Sequence, residues 1–302
     1  MAEIGVIHLV RRKNGLAPFE RFLASYREHP AGARHDLVLI FKGFPFGLGT
    51  QAYDQLLGDV PHRRMYLADY GLDLRPYFKA VASLEHRYLC FLNSFSRILD
   101  RDWLAKLHRW ASATGVGLVS ATASYQSFST SSAERDQMLL GMSPAARLRW
   151  RMGHVFKDVQ AGLSAQRGAA WLLAGAGLWD PARYFPPFPN YHVRTNAFMA
   201  SREMLARVRI GPVVVKLSAF MFESGRESLT NQILRYGLRP VMVGRDGTGY
   251  EKEHWHLANT FRQGRQENLL VADNQTDLYA MADVGGRAEL SRLAWGKHAR
   301  PA

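Results

Sequence analysis

Polar and charged side chains follow several apolar runs of the sequence, at positions where predicted strands end. They are Lys42, Asp69, Asp73, Asn93 and Ser96. Ligands of a parallel sheet bind beyond the carboxyl ends of its strands, where such side chains meet. A carboxylate at that edge can accept a hydrogen bond from a base N–H or a ribose hydroxyl, as acidic residues do in other nucleotide-binding folds. The pattern therefore predicts a ligand pocket lined by these residues.

Two of these positions also have a purely structural interpretation. Asp73 directly precedes a predicted helix start at 74–76 and can satisfy its unpaired amides as an N-cap. Asn93 can close the preceding strand as a turn residue. Both interpretations stay open for both residues, and they are not mutually exclusive.

The elements that must position these residues alternate along the chain. Predicted strands cover 4–10, 36–41, 64–67, 87–92, 117–121, 193–200 and 238–243. Predicted helices cover 17–28, 51–57, 76–84, 100–113, 201–208 and 224–236. Mostly apolar strands that alternate with helices favour a parallel sheet covered on both faces. We therefore expect an α/β fold, a Rossmann-type sandwich with a mostly parallel central sheet.

Residues 124–190 interrupt this alternation and are predicted to form a helical, basic insert. The insert separates an N-terminal half, 1–123, from a C-terminal half that ends in a loop, 191–302, within one continuous domain. Its basic and aromatic residues include Arg147, Arg149, Trp150, Arg151 and Lys157. Such a helix can lie in a membrane interface, or it can pack on the domain with its arginines solvated. Peripheral contact with an anionic membrane is thus one of two interpretations.

Composition restricts the class of protein. The 302 residues are 47% hydrophobic and 22% charged, which is typical of a globular protein. No apolar run reaches the roughly 18–20 residues of a membrane-spanning helix. The first residues do not resemble a secretory signal, and the single cysteine, Cys90, favours a reducing, cytoplasmic compartment. The formal charge of +13 attracts polyanions, but no RNA-binding or zinc-finger signature predicts a specific nucleic-acid partner.

Four segments, in order, resemble known transferases. Residues 4–41 resemble the opening β–α–β unit of family 2 glycosyltransferases. Residues 69–76 (DYGLDLRP) with 91–94 (FLNS), and then 191–199 (YHVRTNAFM), are similar to motifs of the rhamnan-synthesis protein F family. Residues 223–237 resemble the helix of family 2 enzymes that lies near the catalytic base. The resemblance implies a GT-A-like fold that transfers a sugar from a nucleotide-sugar donor to a glycan or lipid-linked acceptor.

The chain departs from the family 2 pattern at two positions. Where those enzymes carry Asp-x-Asp to hold a divalent metal, this sequence has Asn93-Ser94-Phe95-Ser96. The aspartate usual after the second strand is replaced by Lys42-Gly43. Neutral oxygens are poor sole ligands for a hard divalent cation. A Mg or Mn cofactor therefore remains open, and we assign no metal ligand.

Without Asp-x-Asp, basic residues become candidates for stabilising the departing diphosphate. The hypothesis names Lys42, at a strand end, and Arg262 and Arg265, in the C-terminal loop. Preorganised cations can supply the electrostatic stabilisation that a metal supplies elsewhere. The alternative for each is an ordinary solvated surface cation.

A general base is needed for an inverting transfer, and Glu223 and Glu227 are the candidates. Ser224 and Glu227 have the spacing of a capping box, which gives Glu227 a structural explanation. Glu223 has none, so we expect it to be the base.

The acceptor would be bound by His192, Arg194, Asn196 and Trp255. Alternation in a predicted strand places His192 and Arg194 on the same face. Trp255 could stack on a sugar ring or belong to the core. The leading hypothesis is a transferase of cell-surface polysaccharide synthesis; the alternative is a non-catalytic GT-A-like protein that binds glycans or nucleotides as a scaffold.

Overall fold

The computed structural model describes residues 2–70, 73–131, 180–211 and 216–302, together with Glu134, Gln137, Ser143 and Ala146. Twelve strands lie in these ranges. They are β1 (Ile4–Arg11), β2 (His35–Lys42), β3 (Arg63–Leu67), β4 (Tyr88–Leu92), β5 (Arg97–Ile98), β6 (Val116–Ser120), β7 (Ala123–Ser124), β8 (His192–Val193), β9 (Ala197–Ser201), β10 (Arg239–Val243), β11 (Gly249–Tyr250) and β12 (Val271–Ala272). Eight of them form one sheet in the order β11-β10-β6-β9-β4-β1-β2-β3.

Most neighbours in this sheet are parallel. The pairs β1–β2, β2–β3, β1–β4 and β6–β10 run parallel, whereas β9 lies antiparallel between β4 and β6. The carboxyl ends of β1, β2, β3, β4, β6 and β10 therefore meet at one edge, together with the start of β9. We call it the carboxyl edge. The predicted α/β fold with a mostly parallel sheet is confirmed.

Helices cover both faces of the sheet. They are α1 (Ala17–Glu28), α2 (Gln51–Leu57), α3 (Leu74–Ser83), α4 (Trp103–Ala111), α5 (Pro181–Tyr184), α6 (Arg202–Arg207), α7 (Lys216–Ser224), α8 (Leu229–Arg235), α9 (Asn274–Met281) and α10 (Val284–Trp295). Val6 and Val10 point into a core with α1, α2 and α4, and Ile7 and Leu9 into a core with α3, α6 and α8. Alternation along a strand sends successive side chains to opposite faces, and because both faces are covered, β1 carries apolar residues on both of them.

Three predicted elements differ from the structure. The strand predicted over 193–200 is interrupted by a turn at 194–196, which separates β8 from β9. The helix predicted over 224–236 begins only at Leu229, because Ser224 ends α7 and Ser228 caps α8 by accepting from the Asn231 amide. The predicted capping box of Ser224 and Glu227 is therefore wrong. The helix predicted from Asp100 begins later, at Trp103.

The predicted basic insert is described only at its flanks. The segment 147–179, with Arg147, Arg149, Trp150, Arg151 and Lys157, lies outside the described residues. The division into 1–123, 124–190 and 191–302 thus stays a prediction. Among the helices in the described ranges, none combines the length and apolarity required to traverse a bilayer.

Candidate functional site

One group of predicted residues lies where β1, β2 and β3 end. Arg11 Nε lies 2.9 Å from Asp69 Oδ1, and Lys42 Nζ lies 3.5 Å from the same oxygen. The Lys42 side chain has no exposed surface, whereas that of Asp69 is 32% exposed. We call Arg11, Lys42 and Asp69 the Lys42 cluster. The structure thus brings two of the predicted donor-binding residues into one ion-paired group.

Burial and charge act in opposite directions in the Lys42 cluster. Burial lowers the pKa of Lys42, and the charge of Arg11 lowers it further, while Asp73 and Asp69 raise it. Burial alone would raise the pKa of Asp69, but hydrogen bonds and charges from Arg11 and Lys42 hold it below its usual value. The cations of this cluster are therefore balanced by the carboxylates of Asp69 and Asp73.

Local backbone geometry accounts for the position of Asp69. Gly43 has φ +80°, and its amide donates to the Leu67 carbonyl at 2.8 Å. A Cβ at Gly43 would lie 3.1 Å from the Asp69 Cβ, so a larger residue would crowd the carboxylate. Asp73 occupies the position before α3, but its side chain accepts no bond from the first-turn amides. Asp73 is therefore the N-cap residue of α3 by position, as one interpretation predicted, but its side chain does not satisfy the first-turn amides.

Asn93 and Ser96 form the turn that follows β4. The Asn93 Oδ1 accepts from the Phe95 amide at 2.9 Å, and the Ser96 amide donates to the Asn93 carbonyl at 3.1 Å. Ser96 is fully buried, and its Oγ lies 3.1 Å from the Asn196 carbonyl. The turn interpretation of Asn93 is confirmed. The prediction that Ser96 faces the pocket is wrong, because its hydroxyl is enclosed within the turn.

The turn at 194–196 joins the neighbouring strand ends. Arg194 N donates to the Thr122 carbonyl at 3.0 Å, and the Asn196 carbonyl accepts from the Asn93 amide at 3.0 Å. The Asn196 side chain is buried, with Oδ1 bonded to Thr122 Oγ1 at 2.5 Å. Its Nδ2 has no hydrogen-bond partner among the described residues. This turn is therefore fixed to β4 and β6 and carries one unused buried donor.

Arg194 is held by a buried carboxylate from the C-terminal region. Its Nη1 and Nη2 lie 3.4 and 3.1 Å from Asp273 Oδ1 and Oδ2. Asp273 is 1% exposed and is also the N-cap of α9, accepting from the amides of Gln275 and Thr276. One carboxylate thus fixes both the start of a helix and the guanidinium group of Arg194.

Arg262 lies against the same aromatic ring as Arg194. The guanidinium carbons of Arg194 and Arg262 are 4.2 and 4.7 Å from the centroid of the Phe261 ring. Arg262 is 6% exposed, and its Nη2 donates to Gln275 Oε1 at 3.1 Å. Its Nε is buried without a partner among the described residues. We call Arg194, Phe261, Arg262 and Asp273 the Arg262 cluster.

The backbone of Arg262 is also unusual. Its φ of +52° lies in the left-handed region, and its amide donates to Gln266 Oε1 at 3.1 Å. A non-glycine residue in that region costs free energy unless its surroundings impose the conformation. Burial lowers the pKa of Arg262 to about 10, and the charge of Arg194 adds to the effect. The fold thus retains a buried guanidinium in an unfavourable setting.

The charges of the Arg262 cluster do not balance among the described residues. Two guanidinium groups face one carboxylate, and a buried charge without an opposite charge is costly. A guanidinium group matches the geometry of a phosphate group and can donate two parallel hydrogen bonds to two of its oxygens. The cluster is therefore chemically suited to an anion with more than one acidic oxygen, such as a diphosphate.

Glu223 lies next to this cluster along the 194–196 turn. Its Oε2 accepts from Thr195 N at 3.3 Å and from Thr195 Oγ1 at 2.6 Å. His192 is buried, and its Nδ1 donates to the Asn190 carbonyl at 2.8 Å. Burial lowers the pKa of His192, although the charge of Glu223 acts in the opposite direction. Glu223 is thus an oriented carboxylate with a neutral histidine in its electrostatic surroundings.

Three predicted site residues are placed elsewhere. Glu227 is exposed and pairs with Arg235, which lowers the pKa of the carboxylate. Arg265 is exposed, and its backbone amide donates to Glu267 Oε1. Trp255 is fully buried, and its Nε1 donates to the Tyr250 carbonyl. The prediction that Trp255 stacks on an acceptor sugar is wrong, because the core covers its ring.

Asp-x-Asp has no equivalent among the described residues. No three His, Cys, Asp or Glu side chains in the described ranges converge to hold a metal ion. The oxygen of Asn93 that occupies the corresponding position is already bonded within its own turn. The residues at this position therefore do not fit a divalent cation.

Several contributors to the site were not predicted, namely Thr195, Phe261 and Asp273. The sequence contains one signal for Asp273, since an aspartate followed three residues later by Thr276 has the spacing of a helix cap. That signal predicts a helix start, not an arginine partner 79 residues away in sequence.

Comparisons with known proteins give a limited result. No family model matches the chain, and no curated protein matches it in sequence. Among solved structures, it is similar to the mannosyltransferase PcManGT from Pyrobaculum calidifontis in complex with GDP-Man and Mn2+, with 14% identity and a TM-score of 0.46. It is also similar to S. aureus TarS 1-349, with 13% identity and a TM-score of 0.31.

Coverage differs between these two structures. The similarity to PcManGT covers 86% of this chain but only 60% of that one, and the similarity to TarS covers 38% and 34%. At these TM-scores the likeness establishes no shared activity. The function of this chain is therefore inferred from its own residues.

Proposed function

We propose that this chain is a glycosyltransferase that moves a sugar from a nucleotide-sugar donor to a glycan or lipid-linked acceptor. The observation that carries the proposal is the Arg262 cluster, where the buried Arg262 and the half-buried Arg194 lie on one aromatic ring beside an oriented glutamate, and only Arg194 pairs with a carboxylate among the described residues. The motif resemblance of the sequence supports the same reaction class. We further propose that the chain acts in cell-surface polysaccharide synthesis, on the cytoplasmic side of the membrane.

The reaction needs stabilisation of the leaving group. The acceptor oxygen bonds to the anomeric carbon of the sugar, and the bond from that carbon to the diphosphate oxygen breaks. The diphosphate leaves with the electron pair, so negative charge accumulates on it. In our proposal Arg262 and Arg194 face this charge as fixed donors, which is usually the largest contribution to catalysis. The Nε of Arg262 is buried and has no hydrogen-bond partner among the described residues.

The acceptor hydroxyl must lose a proton in the same step. Glu223 is the proposed general base, because the Thr195 amide and hydroxyl hold one of its oxygens and orient the carboxylate. His192 and Asn196 remain proposed acceptor contacts, since they flank the same turn. Arg194, predicted to bind the acceptor, is assigned here to the diphosphate because it shares the Phe261 ring with Arg262.

The nucleoside end of the donor is assigned to the other half of the carboxyl edge. Lys42, Asp69 and Asp73 follow β2 and β3 on that side. The Asp69 carboxylate is 32% exposed, which leaves it accessible to a base N–H or a ribose hydroxyl. Asn93 is proposed to shape the floor between the two halves through its turn, and Arg265 is not assigned a contact.

The test is nucleotide release from UDP-, GDP- and dTDP-sugars by the full chain in EDTA, compared among three proteins. We expect turnover by the wild type and a fall of about 100-fold in Arg262→Ala, since removing one such donor costs about that much. Arg265→Ala, an exposed arginine of the same loop, serves as the matched control and should retain turnover. Thermal melts establish that both variants fold.

Three outcomes oppose the proposal in different ways. If a nucleoside diphosphate binds but no donor is turned over, the alternative of a non-catalytic glycan- or nucleotide-binding scaffold is favoured. If turnover requires manganese strictly, the arginines do not replace the metal. If no nucleotide binds or reacts, the glycosyltransferase proposal is overturned.

A further inference from the structure

A cavity lies beyond the end of β10, and the proposed transfer uses none of its lining residues. Its volume is about 470 Å³, within the range of roughly 300–1,000 Å³ that is usual for small-molecule sites. The polar side chains that line it are Asp100, Arg245, Asp246, Asn259, Glu267 and Asn268. None of them belongs to the Lys42 cluster or the Arg262 cluster.

The lining is held in place by its own hydrogen bonds. Asn268 Oδ1 accepts from the Asp246 amide at 2.9 Å, and its Nδ2 donates to Tyr250 Oη at 3.3 Å. The Asn268 carbonyl accepts from the Arg245 amide at 2.8 Å. A Cβ at Gly244 would lie 2.3 Å from Asn268 Nδ2, so only glycine leaves room for this amide. The cavity wall is therefore preorganised.

The charges of the cavity oppose binding of a phosphate compound. Asp100, Asp246 and Glu267 contribute three carboxylates, while Arg245 is the one cation in the described lining. Lys106 Nζ lies 2.5 Å from Asp100 Oδ2 and neutralises this carboxylate. The cavity thus carries an excess of negative charge in a chain of formal charge +13. A nucleotide would be repelled here, whereas a neutral ligand would not.

The same lining suits a ligand that carries adjacent hydroxyl groups. The lining combines carboxylate, amide and guanidinium groups, so it contains both hydrogen-bond donors and acceptors. Arg245 Nε is buried and has no hydrogen-bond partner among the described residues. Tyr250 and the exposed side chain of Leu257 supply apolar surface beside these groups.

We propose that this cavity binds a neutral oligosaccharide at a position separate from the transfer site. The hydroxyls of the sugar would bond to Arg245, Asp246 and Glu267, and its apolar face would pack on Tyr250 and Leu257. The loop from Ala258 to Asn268 has the cavity on one side, while Arg262 within it is buried against Phe261. That this oligosaccharide is the acceptor of the transfer rests on the proposed function.

The test is saturation-transfer NMR titration of the full chain with neutral trisaccharides of glucose, mannose, galactose, rhamnose and N-acetylglucosamine. We expect at least one to bind saturably. Arg245→Gln and Glu267→Gln should each raise its Kd about tenfold, because a bond to a charged group is lost. Arg202→Gln, an exposed arginine at the opposite edge of the sheet, is the matched control and should leave Kd unchanged.

The proposal is overturned if no trisaccharide binds, or if the two cavity variants bind as the wild type does. A parallel titration with UDP and GDP separates this result from the proposed function. Nucleotide binding should be unaffected by Arg245→Gln. If the wild type binds neither UDP nor GDP, the transfer proposal is contradicted. The trisaccharide titration still decides whether the cavity binds a glycan.

Discussion

The two charged clusters at the carboxyl edge differ in how their charges are compensated. In the Lys42 cluster Asp69 bonds to Arg11, and Asp73 also acts on Lys42, so cations and carboxylates balance. In the Arg262 cluster Asp273 pairs with Arg194, and its charge also acts on Arg262, which has no carboxylate of its own among the described residues. The carboxylate of the first is 32% exposed, and that of the second is 1% exposed.

This difference separates a charge pair that stabilises the fold from one that is available to a ligand. An incoming anion adds little stabilisation to a balanced, partly exposed charge pair. It adds more to a buried excess of positive charge, because the anion supplies the missing opposite charge. In our proposal the Arg262 cluster is therefore the half of the edge on which the transfer depends.

The largest expected effect concerns the glutamate beside the Arg262 cluster. Glu223→Gln should lower turnover of the donor by about 10²–10⁴, the range of a lost general base, without weakening nucleotide binding. Glu227→Gln is the matched control, because that glutamate is exposed and pairs with Arg235. Steady-state kinetics and a nucleotide titration measure both quantities. Full turnover by Glu223→Gln would exclude it as the base.

The second prediction compares the carboxylates of the two clusters. Asp273→Asn should lower the free energy of unfolding by about 3–5 kcal/mol, because it removes the charge paired with Arg194 and the opposite charge acting on the buried Arg262. Asp69→Asn should cost less, about 1–3 kcal/mol, since its partners also have Asp73 and solvent. Urea denaturation at pH 7 measures both. Equal losses, or a larger loss for Asp69→Asn, would contradict the difference in compensation.

The third and smallest effect concerns His8, a buried histidine of β1 that has no charge partner among the described residues. His8 in β1 stacks on Phe22 at 3.6 Å between ring centroids, and burial lowers its pKa to about 3. The native state therefore excludes a proton that the unfolded chain binds below about pH 6.5, so His8 makes stability fall as pH falls.

The expected result is a flatter acid limb when His8 is removed. Between pH 6.5 and 4.5, His8→Leu should lose about 2–3 kcal/mol less unfolding free energy than the wild type. Urea denaturation across this range measures it, with His254→Gln, an exposed histidine, as the control. Parallel pH dependences of His8→Leu and the wild type would refute the prediction.

Much of the fold follows from the sequence because local patterns determine it. The apolar run of β1 and the helical spacing of α1 predict elements whose order the structure confirms. The Lys42 cluster was partly predictable for the same reason, since parallel strands bring their carboxyl ends together. The prediction named Lys42 and Asp69 but not Arg11, which lies at the end of the first strand.

The Arg262 cluster was predictable only in part because long-range contacts assemble it. Arg262 was named from its charge, but its partners depend on the turn at 194–196, which interrupts a segment predicted as continuous strand. Asp273 is a helix cap in sequence terms, and only the packing of α9 brings it to Arg194. Trp255 was misassigned because an aromatic residue in a polar loop has no local signal of burial.

Isothermal titration of UDP and GDP in EDTA tests most directly whether the Arg262 cluster is the diphosphate site. The account predicts that at least one of them binds the wild type without added metal, and that Arg262→Gln raises its Kd about tenfold or more. Lys42→Gln, in the compensated cluster, should change Kd less. Equal affinity of wild type and Arg262→Gln, or binding that appears only with a divalent cation, would contradict the account.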